Sequence, residues 1–576
     1  MMPEIPSGWI LILGGLLLPL LGKQASRVGG LVVALAGMVG FLLLPVDAQW
    51  SVQVFNLELQ PLRLDRLSWI FALIFHLAAV LSALYAFHVK DTGQHVAGLV
   101  YAGAAVVAAT AGDLVTLFLA WELTAIASVF LVWASRTESS YRAGMRYLLI
   151  QVTSGVLLLS GIILHFWANG DLSFVHFKGL EAGESASISD YPLSAKLIFV
   201  AFGIKCAFPL LHNWLQDAYP QATASGTVFL SAFTTKLAVY ALARGFAGTE
   251  ELIWVGCTMT LFPIVFAVIE NDLRRVLAYS LNNQLGFMVV GIGIGTELAL
   301  NGTAAHAFCH ILYKALLFMS MGAVLHRVGT TKATELGGLH KSMPWTTGFC
   351  IIGAGAIAGF PLLSGFISKS MIISAAGEQH MFWVWIILLI ASAGVMEHSG
   401  IKIPFFAFFA HDSGKRVKEA PWNMLLAMAV AAFLCIFLGV AYQYLYAWLP
   451  FEFEHAYQPY TQAHVILQLQ LLLFAALAFV ALMRSGLYPA ELRSTNLDTD
   501  WVYRRLLPGA VGQVRYVLTE ADRGLRLGVK HLLADGHKRL ERWFGEQGVF
   551  GSTWTTGVMA FWSALILGLC LVLYYQ

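Results

Sequence analysis

The chain has 576 residues, of which 58% are hydrophobic and 12% charged, and its mean hydropathy is +0.71. A water-soluble protein of this length needs far more charge to cover its surface, so a soluble globular fold is excluded. The formal net charge of +2 implies no nucleic-acid partner.

Apolar runs of roughly 20 residues, each long enough to cross a bilayer, recur from end to end. Length together with turn and charge breaks predicts about sixteen transmembrane helices, near 8–22, 28–46, 66–88, 94–111, 113–134, 140–168, 192–218, 223–247, 252–270, 273–295, 298–327, 345–376, 381–410, 421–448, 463–484 and 552–575. The fold class is an all-α polytopic membrane protein, and the 53 glycines fit close helix packing in lipid. The first run has neither a basic leader nor a small-residue cleavage site and reads as a retained helix.

The basic residues test this count. Lys23 and Arg27, Lys90, Arg136 and Arg142, Arg274 and Arg275, then Arg327, Lys332 and Lys341, and last Lys415, Arg416 and Lys418 follow odd-numbered spans. Under the positive-inside rule they mark one face as cytoplasmic. The alternate loops are acidic, with Asp171, Glu181, Glu184 and Asp190, then Glu250 and Glu251, then Glu452 and Glu454. An even number of spans then leaves both termini on the outer, periplasmic side.

The segment Phe208-Pro209-Leu210-Leu211 recurs as Phe360-Pro361-Leu362-Leu363, five spans later. Pro209 and Pro361 break their helices, and a break in mid-membrane survives only where protein or water satisfies the freed backbone. Repeats offset by an odd number of spans have opposite orientation, and paired broken helices mark the transport path in many carriers. Residues 485–551 differ: they are rich in charge and contain no span. Val514, Leu518, Ala521, Leu525, Val529, Leu532, Leu540 and Trp543 follow helical spacing, with seven arginines and lysines on the other faces. The segment reads as an amphipathic helix on the cytoplasmic surface or against neighbouring spans.

Cys206, Cys257, Cys309, Cys350, Cys435 and Cys570 all fall inside apolar runs without metal-ligand spacing, which predicts buried packing rather than disulfides or clusters. No dinucleotide-binding glycine pattern, phosphate loop or CxxC is present, and neither cofactor nor metal is expected.

At least five charges lie deep inside predicted spans: Glu122 in LAWELTAIAS, Lys205 in GIKCAFPLLHNWL, Lys236 in SAFTTKLAVYAL, Lys314 in HAFCHILYKALLF and Lys369 in SGFISKS. Each costs about 2.5–3.5 kcal/mol at mid-bilayer, on the order of 12–18 kcal/mol together. That exceeds a typical net stability, so they must be paired, hydrated or partly neutral. Burial pulls a lysine towards neutrality and a nearby glutamate keeps it charged, so a Glu122–Lys205 pair would gate a proton. A single such charge reads equally well as a brace between helices; five on separate spans point to a conducted ion. His306, His310 and Lys314, spaced i, i+4 and i+8, share one helix face, and imidazoles about 6 Å apart relay protons through water. His212 follows Lys205 across the Pro209 break. Glu397, His398 and Lys402 form either a further pathway or an end cap. Asp113, Asp217 and Glu270 lie near span ends, where capping is expected.

At these residues the chain resembles a family: the proton-conducting, antiporter-like membrane subunits shared by respiratory complex I, membrane-bound hydrogenases and Mrp-type cation/proton antiporters. It is most similar to the Mrp D-type subunit. The stretch Gly203–Arg244, LRRVLAYSLNNQLGFM, HAFCHILYKALLF, GFPLLSGFISKS and HSGIKIPFFAFF carry the resemblance, over residues 65–420. It implies fourteen core helices with two inverted five-helix repeats and broken seventh and twelfth spans. The domains are then 1–93 (helices 1–3), 94–247 and 252–410 (the repeats), 421–484 (helices 14 and 15), 485–551 (the amphipathic segment) and 552–576 (the last helix). It also implies that Glu122 and Lys205 are the fifth- and seventh-helix partners. Lys236 and Lys314 bridge a central axis with His306 and His310, and Lys369 ends the second half-channel. Gln216 stands where the family usually has proline, and Ser370 where some relatives have an acid after the terminal lysine.

The function so implied is proton translocation within a multisubunit monovalent cation/proton (Na+/H+) antiporter. The alternative is a proton-pumping membrane subunit of a complex I-like NADH-quinone or related oxidoreductase, with redox centres in partner chains. A self-sufficient solute carrier is opposed by the evenly spread lysines, and an inert scaffold by the charged axis. Expected partners are other membrane subunits, protons, Na+ or K+ and the lipid bilayer. The expected location is the bacterial inner membrane.

Overall fold

The computed structural model describes residues 6–453, 457–489, 491, 492, 496 and 498–576; Glu454 of the acidic loops lies outside the described residues. The chain divides into two units, Met1–Asn496 and Leu497–Gln576.

The first unit begins with α1 (Ser7–Leu17) and α2 (Gly22–Leu42), then a hairpin of β1 (Gln49–Val54) and β2 (Leu57–Arg63). The helices α3 (Arg66–Tyr85), α4 (Thr92–Thr110), α5 (Leu114–Trp133) and α6 (Glu138–Asn169) follow. Next come α7 (Leu193–Lys205), α8 (Asn213–Ala218), α9 (Ala224–Ala232), α10 (Thr234–Gly245), α11 (Glu251–Ile269), α12 (Leu273–Ile294) and α13 (Glu297–Val328). The unit ends with α14 (Pro344–Ala358), α15 (Ser364–Glu378), α16 (Phe382–Val395), α17 (Lys402–Pro404), α18 (Trp422–Val440), α19 (Gln443–Tyr446) and α20 (Gln462–Ser485). Among the described residues of the whole chain, eleven helical stretches are long and apolar enough to cross a membrane. The protein is predominantly helical and multi-pass.

Five details differ from the sequence reading. Lys23 and Arg27 sit in the first turns of α2, which starts at Gly22 rather than near residue 28, after a single tight turn at Leu18–Leu21. The predicted loop at 47–65 is largely a hairpin, its first strand alternating in Gln49-Trp50-Ser51-Val52-Gln53-Val54. The span predicted at 223–247 is interrupted at Phe233. The span predicted at 381–410 passes through wide π turns at Met396–Ile401 and Phe405–Phe409, flanking Pro404. Of the six cysteines five are buried, whereas Cys570, on the apolar last helix, is exposed.

Loop contacts sort the helix ends of the first unit into two groups. At one end Arg136 pairs with Asp91 (3.1 Å), Lys341 with Asp412 (2.8 Å), and Asp272 bridges to Lys332. At the other, Arg66 pairs with Glu452 (2.6 Å), Ser185 donates to Glu250 (2.9 Å), and Gly183 N–H donates to the Gly295 carbonyl (3.0 Å). The hairpin joins this second end: Gln60 N–H donates to Asp113 (2.8 Å) and Gly112 N–H to the Gln60 carbonyl (2.8 Å). Asp113 also caps α5 through the Thr116 N–H and hydroxyl (2.7 and 2.6 Å), the end role expected of it. The two groups match the basic and acidic loops of the sequence.

The second unit holds α21 (Leu507–Phe544) and α22 (Thr556–Tyr574). α21 contains the whole predicted amphipathic stretch 514–543 and at 1.5 Å per residue is roughly 57 Å long. Ion pairs Arg523–Glu520 and Arg526–Asp522 (both 2.8 Å) run along it.

At the start of α3, Asp65 and Ser68 cap each other reciprocally, and both Asp65 carboxylate oxygens accept from Arg244 Nη2 at 2.7 Å. The Arg244 side chain is 11% exposed, so this carboxylate and the Tyr240 hydroxyl, which accepts from Arg244 Nε at 2.8 Å, offset the cost of burying its charge. Asp65→Ala is expected to cost roughly 1.5–3 kcal/mol, the range for a hydrogen bond to a charged group, read as a lower unfolding temperature of the solubilised protein. Asp65→Asn, which keeps the cap, should cost less.

Candidate functional site

The site begins at the broken helices. In α7 the helix stops at Lys205, directly before the break rather than four residues ahead of it. Pro209 has no N–H to reach the Lys205 carbonyl, and the chain turns through left-handed Ala207 and Leu210 (φ 61° and 70°). The second copy repeats this geometry. α14 stops at Ala358, Leu362 has φ 73°, and α15 resumes at Ser364. Phe208 N–H donates to the Gly203 carbonyl (3.0 Å) and Phe360 N–H to the Gly355 carbonyl (2.9 Å), five residues back in each case.

Pro361 likewise leaves the Ile357 carbonyl without its helical donor. The Lys369 ammonium donates to that oxygen at 2.5 Å. Lys236 does the same where α9 gives way to α10, donating to the Ser231 carbonyl at 2.6 Å. Lys205 donates to the Trp121 carbonyl (2.5 Å) and to Thr124 Oγ1 (3.0 Å) on α5, with its ammonium 4.4 Å from the Trp121 ring centroid. All three lysines are buried, and carbonyl dipoles rather than carboxylates hold them.

Glu122 is one residue from that Trp121 carbonyl but makes no direct ion pair with Lys205 among the described residues. Its Oε1 is buried without a hydrogen-bond partner, against Gly155 of α6. A Cβ at Gly155 would fall 1.7 Å from Oε1, so glycine is what admits the carboxylate there. The direct pair expected from sequence is replaced by carbonyl and hydroxyl contacts to the lysine.

α13 carries His306, His310 and Lys314, all fully buried. The two imidazole centroids are 6.1 Å apart, the spacing that i, i+4 dictates. His306 Nδ1 meets Ser368 Oγ at 2.9 Å, which joins α13 to the residue before Lys369. Tyr313 OH lies 3.4 Å from His306 Nε2 and donates to Gln284 Oε1 at 3.2 Å. Both His310 nitrogens and Lys314 Nζ are buried with no hydrogen-bond partner among the described residues, as are Thr235 Oγ1 and the Asn282 amide. Buried polar atoms left without protein partners call for ordered water.

Of the accessory residues, His212 is buried in the first break, 4.5 Å between ring centroids from Phe262. His398 meets Ser399 Oγ (2.9 Å), which donates to Ser280 Oγ (2.7 Å). Lys402 caps the end of α11, donating to the Val268 and Glu270 carbonyls (2.6 and 2.7 Å), and pairs with Glu491 at 2.9 Å. Glu397 is half-buried beside it in the π turn. Asp217 pairs with Arg146 (2.6 Å) and Glu270 with Arg275 (3.5 Å), both at span ends as expected. Gln216 is buried, with neither amide atom hydrogen-bonded among the described residues. Sequence reasoning passed over Trp121, Thr124, Gln284, Tyr313 and Glu491. Only Gln284, in the polar run Asn282-Asn283-Gln284 of an apolar helix, carried a signal. Among the described residues, no three His, Cys, Asp or Glu side chains gather to hold a metal ion.

The family described as NADH:quinone oxidoreductase/Mrp antiporter, TM matches residues 111–394. Over 343 residues the chain is 31% identical to the D-type subunit of the Na(+)/H(+) antiporter of Alkalihalophilus pseudofirmus, covering 57% of this chain and 69% of that relative. The chain belongs to the NADH:quinone oxidoreductase/Mrp antiporter membrane family. A second member, Hydrogenase-4 component B of Escherichia coli, is 25% identical over 473 residues, 74% of this chain and 70% of the relative. The fold is also that of a chain in the Mrp complex of Dietzia sp., with a TM-score of 0.76 and 23% identity over 92% of this chain and 62% of that one. The stretch matched to the family contains Glu122, Lys205, Lys236, His306, His310, Lys314 and Lys369. His398, Lys402 and α18–α22 lie beyond it.

Thr124 Oγ1 is the side-chain acceptor for Lys205. Thr124→Val is expected to destabilise the solubilised protein by roughly 1.5–3 kcal/mol, the worth of a hydrogen bond to a charged group. Thr124→Ser should restore most of the loss in the same thermal measurement.

Proposed function

We propose that this chain is the proton-translocating membrane subunit of a multisubunit monovalent cation/proton (Na+/H+) antiporter. The observation that carries the reading is the row of buried, carbonyl-held lysines joined by the histidines of α13, inside the stretch shared with the family. The 31% identity to a D-type antiporter chain supports the antiporter form. The 25% identity to Hydrogenase-4 component B, over more of the chain, favours a second reading, a membrane subunit of a redox-driven complex. Both readings give this chain the same task.

In the proposed architecture sixteen helices cross a bacterial inner membrane, with both termini on the periplasmic side. Helices 1–3 (1–93) precede two inverted repeats, 94–247 and 252–410, broken at Pro209 and Pro361. Helices 14 and 15 (421–484), the segment 485–551 as a cytoplasmic brace and a last helix (552–576) complete it. The matching local geometry of the two breaks and the sorting of loops into two ends support this layout.

A proton bound to Lys205 leaves when its ammonium moves off the Trp121 carbonyl and away from Glu122, since desolvation then favours the neutral amine. It is taken up in turn by Lys236, the water around His310 and His306, and Lys314, and reaches Lys369. Each carrier gains one proton and releases one, so the axis returns to its starting charge. His212, Glu397, His398 and Lys402 line accessory positions near the two breaks.

Proton flux in membrane vesicles carrying the assembled complex tests this. Glu122→Gln should impair flux at normal assembly, and Glu122→Asp should retain part of it; normal flux in Glu122→Gln would reduce the carboxylate to a brace. Lys314→Ala should lower flux more than His306→Ala, because water bridges one missing imidazole more readily than a missing charge. Full flux in Lys314→Ala would remove it from the path.

A further inference from the structure

Beside Lys369 lies a cavity of about 340 Å3 between α15, α16 and α20. Its polar lining is Lys369, Ser370, Ser374, Glu378, His464 and Gln468. Lys369 is buried and Glu378 exposed, so the polar groups form a graded line from the core to the surface along α15. Ser370, Ser374 and Glu378 follow Lys369 at near-helical spacing on one face. Trp385 and Leu467 supply apolar wall. The line ends at the same helix ends as the acidic loops, where Glu452 pairs with Arg66.

α20 and the turn before it do more than close this cavity. Gln468 Nε2 donates to the Ala358 carbonyl (3.0 Å), and the Leu362 N–H donates to Tyr460 OH (3.2 Å). Backbone groups freed by the Pro361 break are thus satisfied from a segment beyond the stretch matched to the family. His464 is oriented as well. Its Nδ1 faces the Pro459 carbonyl at 3.3 Å, which can only accept, so in the neutral ring Nδ1 carries the hydrogen. Nε2 is left as an acceptor facing Ser374 Oγ at 3.4 Å, and Tyr457 OH meets the same hydroxyl at 3.1 Å.

We propose that α20 builds the outer exit of the proton path: a water-filled vestibule leading from Lys369 past Ser370 and Ser374 to His464 and Glu378. This rests on the reading of the chain as a proton translocator. A proton passes from the Lys369 ammonium to vestibule water, then to His464 Nε2 and on to the Glu378 carboxylate and bulk solvent. Lys369 becomes neutral and is reprotonated from the axis; no electrons move.

The test uses the full complex in sealed membranes, with Cys570→Ser to remove the exposed thiol. Ser374→Cys should react with a charged, membrane-impermeant methanethiosulfonate from the outer face and not from the cytoplasmic face, and the reaction should block proton flux. Ser370→Cys serves as a second reporter if the first does not assemble. His464→Ala should lower flux at normal assembly, and imidazole added at the outer face should restore it, which loss of a merely structural contact would not allow. Labelling from the cytoplasmic face, labelling only by a lipid-soluble maleimide, or unchanged flux in His464→Ala overturns the exit. Lys369→Ala separates the two levels. If it abolishes flux while Ser374→Cys stays unreactive, only the exit fails; if it transports fully, the translocator reading fails with it.

Discussion

A lysine ammonium buried in a bilayer needs a counter-dipole, and this protein supplies it from its own interrupted helices. Each in-membrane charge costs about 2.5–3.5 kcal/mol, and a hydrogen bond from a charged donor returns roughly 1.5–3 kcal/mol. The two are close enough that the ammonium is tolerated without being locked in place. A break frees a carbonyl that a neighbouring lysine then fills: Ile357 for Lys369 at Pro361, and Ser231 for Lys236 at Phe233. Lys205 instead takes the Trp121 carbonyl of a neighbouring helix. A carboxylate at contact distance would bind each ammonium more tightly, and removing one partner of such a pair costs about 3–5 kcal/mol.

Lys402 shows the opposite solution in the same molecule. It sits on two carbonyls at the end of α11 and is also paired with Glu491 at 2.9 Å. Every one of its donors has somewhere to go. Beyond both lies Lys314, buried on α13 with no hydrogen-bond partner among the described residues, beside His310, which has none there either. The buried lysines thus range from three partnered donors at Lys402 to no hydrogen-bonded donor among the described residues at Lys314. The frame around them comes from the largely buried α12 and α13 and from helix ends tied by Asp65–Arg244, Arg136–Asp91 and Arg66–Glu452.

Much of the fold was legible in the sequence because a bilayer punishes irregularity. An apolar run of about 20 residues has one good solution, a helix, and basic residues mark alternate loops. Helix positions therefore followed from composition, and the prolines at 209 and 361 marked the breaks. The i, i+4, i+8 spacing of His306, His310 and Lys314 fixed a shared face and the 6.1 Å ring separation. What misled was locally ambiguous: the hairpin at 49–63 is too short to stand out among apolar runs, and the turn between α1 and α2 is a single tight turn that leaves Lys23 inside a helix.

The partners of the charges were decided only in three dimensions. Sequence named Glu122 and Lys205 as a pair, yet the distance between α5 and α7 and the rotamer admitted by Gly155 set the lysine on a carbonyl one residue away. Backbone carbonyls are the same at every position, so no residue code announces which one a lysine will find. Glu491, Gln468 and His464 are likewise ordinary surface-type residues in the sequence. They meet the buried charges because α20 and the chain after it pack against the Pro361 break, α15 and Lys402, about 90 to 110 residues earlier. The sequence by itself determined that the chain is helical and multi-pass and which residues carry charge inside its apolar runs. Tertiary packing determined what each charge touches, because that depends on side-chain reach across helix pairs rather than on any local pattern.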